Sequence, residues 1–367
     1  MRVLHVTTHF NTGGISNYIM SLSKALDARG VRVTVASSGG DLEQELARCG
    51  IPHVELDIST KFEFGPKAIR SGLRLARIAK EGGFGVIHAH TRVSQVAASI
   101  ASRISGAKVV TTCHGYFRKR LRGIVDTWGD RVVAISGAVK EHLTKDLHVA
   151  ENRVALIYSG VDASRFRADS GPDGLGRVRA GLGLAEGPVI GTIGRLSPVK
   201  GQRFFIESMA HILARRPDAQ AVILGNGPEE AALRKLAAST GAGGRIFFFA
   251  SSADTGRFLS AMDVFVFPSL KEGLGIALLE ALAAGRACVA SDTGGIGDII
   301  EDGHTGLLVA PGDPKAIAEA VLKLLADGAL RSGMGRKGRE LVAAKFTVDA
   351  MADRMAGLYN EVGRSGR

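Results

Sequence analysis

Residues 2–49 read RVLHVTTHFNTGGISNYIMSLSKALDARGVRVTVASSGGDLEQELARC, and the spacing of their apolar positions switches from one element to the next. Arg2 to Thr7 is a short β-branched run, Ile15 to Ala28 carries apolar residues at helical spacing, Val31 to Ser37 is β-branched again, and Asp41 to Cys49 returns to the helical pattern. Strand, helix, strand, helix predicts a parallel sheet clothed by helices, because parallel neighbours can be joined only through a crossover. The alternation continues with strands expected at 85–89, 108–113, 131–135 and 153–157. Helices are expected at 66–80, 93–104 and 137–147, the last with Ser136 as its N-cap.

Around 169–187 the pattern dissolves into Gly, Pro, Asp and Ser, which reads as a linker. A strand at 188–194 opens a second α/β series, with further strands near 220–225, 245–249, 263–267, 287–290 and 306–309 and a mostly helical end from Pro314. A chain of 367 residues suits two domains of roughly 100–200 residues each. The expected organisation is therefore a Rossmann-like domain at 1–168, a linker at 169–187, a second Rossmann-like domain at 188–345, and a closing helix at 346–367 with the first domain as its candidate packing surface.

Composition narrows the class. A hydrophobic fraction of 45% is globular, and 48 glycines imply many tight turns. Cys49, Cys113 and Cys288 form no Cys-x-x-Cys pair, so neither a zinc site nor a disulfide framework is indicated and a reducing cytoplasm is expected. Val3 to Val6 reads as a strand rather than the core of a signal peptide. The most apolar stretch, Ala277 to Ala290, contains Glu280 and Arg286, so no membrane span is expected. The formal charge of +11 divides into +9 over residues 1–170 and +2 over 171–367. An acidic partner would meet the first half; the plainer alternative is ordinary solvated faces.

Three constellations carry chemistry. Thr12-Gly13-Gly14 follows the first strand and precedes a helix, where backbone amides and the positive end of the helix dipole suit a phosphate. It lacks the Gly-x-Gly-x-x-Gly spacing of a dinucleotide site, which disfavours a nicotinamide dehydrogenase, and a simple tight turn is the alternative. Gly194-Arg195-Leu196-Ser197-Pro198-Val199-Lys200-Gly201 stands where the second domain's first strand hands over to its helix, so Arg195 and Lys200 suit a diphosphate or are two solvated loop cations. Glu272-Gly-Leu-Gly-Ile-Ala-Leu-Leu-Glu280 sets one carboxylate before a helix and another inside it. Burying Glu280 requires hydrogen-bonding partners, for which ribose hydroxyls are suited; sugar hydroxyls suit Glu272, and phosphate oxygens suit the amides of Leu274, Gly275 and Ile276. A helix-start glutamate with a partly exposed second one is the alternative.

In this order the three constellations resemble glycosyltransferase family 4, the retaining GT-B enzymes of bacterial envelope and exopolysaccharide assembly. Gly225-Asn226-Gly227-Pro228, Ser291 to Gly295 and Asp302 to Val309 also look like that family's second domain. The resemblance implies a GT-B fold with its reaction centre in a cleft. It places Gly13 and Gly14 at the donor phosphates, Arg195 and Lys200 at the diphosphate leaving group, Asn226 on the donor side, Glu280 at the ribose and Glu272 at the transferred sugar. His114, in Thr111-Thr112-Cys113-His114-Gly115, matches the family's cleft histidine, whereas His5, His9, His88 and His90 read as ordinary strand-end histidines.

The implied reaction takes a sugar from a nucleotide diphosphate, uridine being favoured, to a glycan or lipid-linked hydroxyl. The anomeric configuration is retained, the leaving phosphate acts as base, and no cofactor is used. No metal is implied, and the chain has no Asp-x-Asp motif. This chain departs from the family at Ala250-Ser251-Ser252, where a glycine-containing base loop is usual, and at Asp298, where Glu is usual. A sugar-nucleotide epimerase would turn over donor without acceptor, and a non-catalytic sugar-nucleotide-binding module would bind donor without reaction. Arg118, Lys119, Arg120 and Arg122, interleaved with Phe117, Leu121, Ile124 and Val125, are expected on the acceptor side, where they would rest on an anionic membrane at the inner face; the alternatives are that they bind a phosphorylated soluble acceptor or only solvate a helix. No nucleic-acid partner is indicated.

Overall fold

The computed structural model describes residues 1–117, 128–166 and 172–364, so Arg118, Lys119, Arg120 and Arg122 lie outside the described residues. The chain divides into two compact units, Met1–Gly160 with Val348–Arg367, and Val161–Thr347.

Unit 1 is built on a parallel sheet of β1 (Arg2–Val6), β2 (Arg32–Ser37), β3 (His53–Glu55), β4 (Val86–Ala89), β5 (Lys108–Cys113), β6 (Arg131–Ala134) and β7 (Val154–Leu156), in the order β3-β2-β1-β4-β5-β6-β7. Its helices are α1 (Gly14–Asp27), α2 (Glu43–Arg48), α3 (Pro66–Glu81), α4 (Arg92–Ser105) and α5 (Gly137–Glu141), and Ser136 caps α5 by accepting from the Val139 amide at 3.1 Å. Side chains alternate across the strands, so Val3, Val86 and Val110 join Ile19 and Leu22 in one apolar layer, while Leu4, Val6, Ile87 and Val109 join Leu75 and Ala97 in the other. By the same alternation His5, His88 and Thr112 fall on the Val3 side.

Unit 2 repeats the winding with β8 (Val189–Ile193), β9 (Gln220–Leu224), β10 (Ile246–Phe249), β11 (Val264–Phe267), β12 (Ala287–Ser291) and β13 (Leu307–Val309), ordered β10-β9-β8-β11-β12-β13. It carries α6 (Pro172–Gly181), α7 (Gln202–Arg215), α8 (Glu230–Ser239), α9 (Thr255–Ala261), α10 (Ile276–Ala283), α11 (Pro314–Ala326) and α12 (Gly328–Lys345). The final helix, α13 (Val348–Arg364), belongs to unit 1, where Met351, Met355 and Tyr359 enter the Val3 layer and Arg29 bonds Asp349 at 3.1 Å and Asp353 at 2.6 Å.

The stretch expected as a linker, 169–187, is different in structure: α6 occupies much of it, and the units divide at Gly160 instead. Leu182 and Leu184 are buried, and the Arg179 guanidinium bonds Asp263 at 2.8 Å and the Ala261 carbonyl at 2.9 Å. One arginine and two leucines thus hold a segment whose glycines and proline mask its helical period. Strand β3 was also hidden, being only three residues long.

In both units the chain winds outward from the first strand, returns, and resumes on its other side. Loops leaving the C-terminal ends of these neighbouring strands diverge, opening a crevice between β1 and β4 and another between β8 and β11.

Candidate functional site

The β8 edge gathers the residues that the sequence singles out. After β8 the chain runs through Arg195 into a single turn at Pro198–Lys200, and Gly201, at φ 66°, turns it into α7. A Cβ on Gly201 would stand 2.0 Å from the Pro268 carbonyl oxygen, so only glycine lets the loop after β8 lie against the loop after β11. The Leu270 amide bonds the Val199 carbonyl at 2.8 Å and closes the same seam. The loop after β9 fixes the other flank: a Cβ on Gly227 would fall 2.1 Å from the Leu196 carbonyl oxygen, and the Leu196 amide bonds the Asn226 carbonyl at 2.9 Å. Gln202 donates to the Arg195 carbonyl at 3.0 Å, a backbone support that the sequence did not reveal.

Lys200 and Glu272, from the loops after β8 and β11, meet at 2.5 Å. The Ser269 hydroxyl donates to the same Glu272 oxygen at 3.3 Å, and the Lys200 ammonium lies 5.4 Å from the centre of the Phe267 ring. Arg195 is exposed in the same loop. Gly275, at φ 104°, begins α10 with no side-chain cap, so the amides of Leu274, Gly275 and Ile276 lie at the uncapped positive end of a helix. Cations and a helix start at the C-terminal edge of a parallel sheet form an anion-binding arrangement.

Glu280 lies on α10 and faces Thr255 and Arg165. Desolvation raises its carboxyl above the ordinary carboxylate value, opposed by a hydrogen bond from Thr255 and by the Arg165 charge. Asn226 does not stand free: its amide nitrogen donates to Ser251 Oγ at 2.9 Å and its carbonyl oxygen accepts from the Ser251 amide at 3.1 Å. Its carboxamide therefore shapes the loop at Ala250 to Ser252.

Unit 1 holds the remaining candidates. Gly13 and Gly14 are exposed at the start of α1, in a turn pinned by Asp41, which accepts from the Thr12 amide at 2.6 Å and its hydroxyl at 3.0 Å. A Cβ on Gly14 would meet nothing within 4 Å, so the fold itself does not require glycine there.

His114, just past β5, is partly buried, with its Nε2 3.2 Å from His90 Nδ1 and the Tyr18 ring edge-on at 4.8 Å. His5, His88 and His90, expected as ordinary strand-end histidines, are buried and joined to it through hydrogen bonds. The signal available in the sequence was His88 and His90 at strand spacing, two imidazoles on one side of a strand bounded by apolar residues. Tyr359, some 270 residues from His88, had none.

The model for "Glycosyltransferase Family 4" matches residues 12–165, and that for "Glycosyl transferases group 1" matches 178–341. The chain is 30% identical to the GDP-mannose-dependent alpha-(1-6)-phosphatidylinositol monomannoside mannosyltransferase of Mycobacterium tuberculosis, over 97% of each chain. It is 29% identical to the alpha-D-kanosaminyltransferase of Streptomyces kanamyceticus, over 88% of this chain and 98% of that protein. In fold it is similar to Anabaena Alr3699/HepE, solved in complex with UDP-glucose, with a TM-score of 0.88, 22% identity, and coverage of 98% of this chain and 100% of the other.

Proposed function

This chain belongs to glycosyltransferase family 4, and from that premise we propose that it moves a sugar from a uridine diphosphate sugar to a hydroxyl of a glycan or lipid-linked acceptor of the cell envelope, with retention at the anomeric carbon. The observation that carries the reading is the meeting of Lys200 and Glu272 at the crevice between β8 and β11, with Arg195 in the same loop and the uncapped start of α10 beside it. When the bond from the anomeric carbon to the diphosphate breaks, negative charge grows on the departing phosphate. Arg195, Lys200 and the amides at 274–276 are placed to stabilise it, and such preorganised stabilisation is a large share of catalysis. The acceptor oxygen bonds the anomeric carbon on the face the phosphate leaves, and its proton passes to a phosphate oxygen. Glu272 serves the sugar hydroxyls, Glu280 the ribose, Gly13 and Gly14 the phosphates, and His114 the sugar. The cations carry the leaving-group charge in place of a metal.

The uridine assignment draws on a structural relative solved with UDP-glucose, whereas a sequence relative uses GDP-mannose. A thermal-shift panel of UDP, GDP, ADP and their sugars tests it, since a ligand at 100 times its Kd stabilises the folded state by about 2.7 kcal/mol. A larger shift with GDP than with UDP at equal concentration overturns the base assignment. Loss of transfer on chelation, restored by a divalent ion, overturns the metal-free leaving group. Inversion at the anomeric carbon, read from the product's proton spectrum, overturns retention.

We place the acceptor side of the chain peripherally on an anionic membrane, with the protein in the cytoplasm. No helix among the described residues is long and apolar enough to cross a membrane. Support comes from the basic first half and from α3, whose outward stripe carries Ile69 and Leu73 beside Arg70, Arg74, Arg77 and Lys80, with exposed Phe62 and Phe64 just before it. Each such cation near an anionic surface contributes roughly 1 kcal/mol, screened within a Debye length. Co-sedimentation with anionic vesicles should weaken when Arg70, Arg74 and Arg77 are changed to Gln, and equal binding to neutral vesicles excludes the docking.

A further inference from the structure

The histidines behind the β1 and β4 edges are joined into a single file. His114 Nε2 lies 3.2 Å from His90 Nδ1, and His90 Nε2 lies 2.9 Å from His5 Nδ1. His5 Nε2 lies 3.3 Å from the Tyr359 hydroxyl, the same hydroxyl lies 2.6 Å from His88 Nδ1, and His88 Nε2 lies 2.7 Å from Thr112 Oγ1. Each contact uses a different ring nitrogen, so every inner imidazole is engaged at both ends.

Burial holds His5 and His114 down at about 3, drives His88 and His90 well below the usual imidazole range, and raises Tyr359. All the rings are therefore neutral near pH 7. A neutral imidazole has one N–H and one lone pair, and a phenol has one O–H, so the file must run in one direction throughout. If Tyr359 donates to His5 Nε2, then His5 Nδ1 donates to His90, His90 Nδ1 donates to His114 Nε2, and the His114 proton sits on Nδ1. If Tyr359 donates to His88 instead, every bond reverses and the proton of His114 sits on Nε2. The choice made at the Tyr359 hydroxyl, on the last helix of the chain, is the choice presented at His114.

We propose that Tyr359, His5 and His90 form a one-directional hydrogen-bonded relay that fixes which ring nitrogen of His114 carries its proton, making α13 a positioning element for the candidate site. The tautomer of a working histidine is set by the hydrogen bond made at its other nitrogen, and here that bond is the end of a chain. The consequence for turnover rests on the reading of His114 as a sugar-facing group; the relay itself is measurable without substrate.

The ring nitrogens of His5, His88 and His90 also come within 4.8 Å of one another, close enough to suggest a metal cage. Two nitrogens on a tetrahedral zinc, each at about 2.0–2.1 Å, stand about 3.3 Å apart. The 2.9 Å between His5 and His90 is the shorter distance of a shared proton.

Long-range proton–nitrogen spectra of the full chain carrying nitrogen-15 histidine read the tautomer directly, with His114→Gln identifying its resonances. In the unaltered protein one His114 nitrogen is expected at the protonated position and the other at the bare position. Tyr359→Phe keeps the ring and removes the link, and both nitrogens should move toward the averaged position. His5→Phe cuts the file between Tyr359 and His90 and should do the same if Tyr359→Phe fails to fold. Turnover in these variants should fall on the order of tenfold with the donor KM unchanged, the scale of lost support for a working histidine. Unmoved His114 nitrogens in either folded variant, or stoichiometric zinc uptake by His5, His88 and His90, overturns the relay. A shifted tautomer with unchanged turnover upholds the relay and removes His114 from the reaction, as would wild-type turnover in His114→Gln.

Discussion

Between β1 and β4 the chain fills the edge of its sheet with its own imidazoles, whereas between β8 and β11 it lines the corresponding edge with Arg195, Lys200 and Glu272. The two sheets share one strand order through their first six strands, so topology does not decide this difference; the side chains do. His5, His88 and His90 are withdrawn from water and held uncharged by that withdrawal. Lys200 and Arg195 stay in reach of solvent, where a charged ligand can exchange water for them. One crevice is satisfied internally and positions a ring. The other keeps its charge within reach of solvent, where we propose the donor diphosphate binds.

The largest expected effect follows from the first crevice. An imidazole whose folded pKa is depressed leaves the unfolded chain binding more protons than the folded unit below the ordinary value of 6.5. Stability is therefore complete above pH 6.5 and falls as pH drops from there toward about 3, the folded value of His5. At pH 5 His5 alone costs about 2 kcal/mol, and His88 and His90, held down by the same burial, weaken the folded unit in the same direction. In unit 2 the raised Glu280 shifts stability the opposite way, favouring the folded state in acid. Trp128, the single tryptophan, is buried in unit 1, so its fluorescence reports that unit alone. Urea unfolding followed at Trp128 should weaken steeply between pH 7.5 and pH 5. A midpoint that does not move would mean that these imidazoles are protonated in the folded unit.

Next in size is the second crevice. Arg195→Ala and Lys200→Ala should each lower turnover by about 10² to 10³, the usual loss for one preorganised charge contact. The two should differ in stability. Lys200 leaves behind Glu272, a carboxylate whose side chain is only 14% exposed, so its removal should cost about 1–3 kcal/mol. Arg195 is exposed, and its removal should cost within about 0.5 kcal/mol. Steady-state kinetics beside thermal melts separate the two, and wild-type turnover in a folded double variant would end the assignment of this edge to the leaving group.

How much of this was readable from the sequence depended on whether the signal was local. The strands from Val86 to Ala89 and from Val264 to Phe267 announced themselves through β-branched and aromatic runs, and Ser136 through its place before a helix. Arg195, Lys200, Glu272 and Glu280 lie in short motifs, so their gathering at a strand end could be expected. The hydrogen-bonded file could not, because His5, His88, His114 and Tyr359 come from four separate elements and meet only when the last helix returns to the first sheet. The helix at Pro172–Gly181 was missed for the opposite reason, since its local composition argued against it and a distant contact, Arg179 with Asp263, holds it.

The smallest effects compare two glycines, one that the fold requires and one that we propose serves the donor phosphates. Gly201 has φ 66°, and a Cβ there would collide with the Pro268 carbonyl oxygen at 2.0 Å. A residue with a side chain in the left-handed region costs about 1–2 kcal/mol before the collision is counted, so Gly201→Ala should lower the melting temperature and displace the adjacent Lys200. Gly14 opens α1 with nothing within 4 Å of a Cβ, so Gly14→Ala should leave stability unchanged or raise it by a few tenths of a kcal/mol. Its cost should appear only when the donor binds, because an added methyl stands where phosphate oxygens would approach the exposed backbone amides. A roughly tenfold rise in donor KM, worth about 1.4 kcal/mol, is expected with kcat little changed. If Gly14→Ala leaves KM where it was, the turn after β1 is only a turn, and phosphate recognition belongs to the β8 edge.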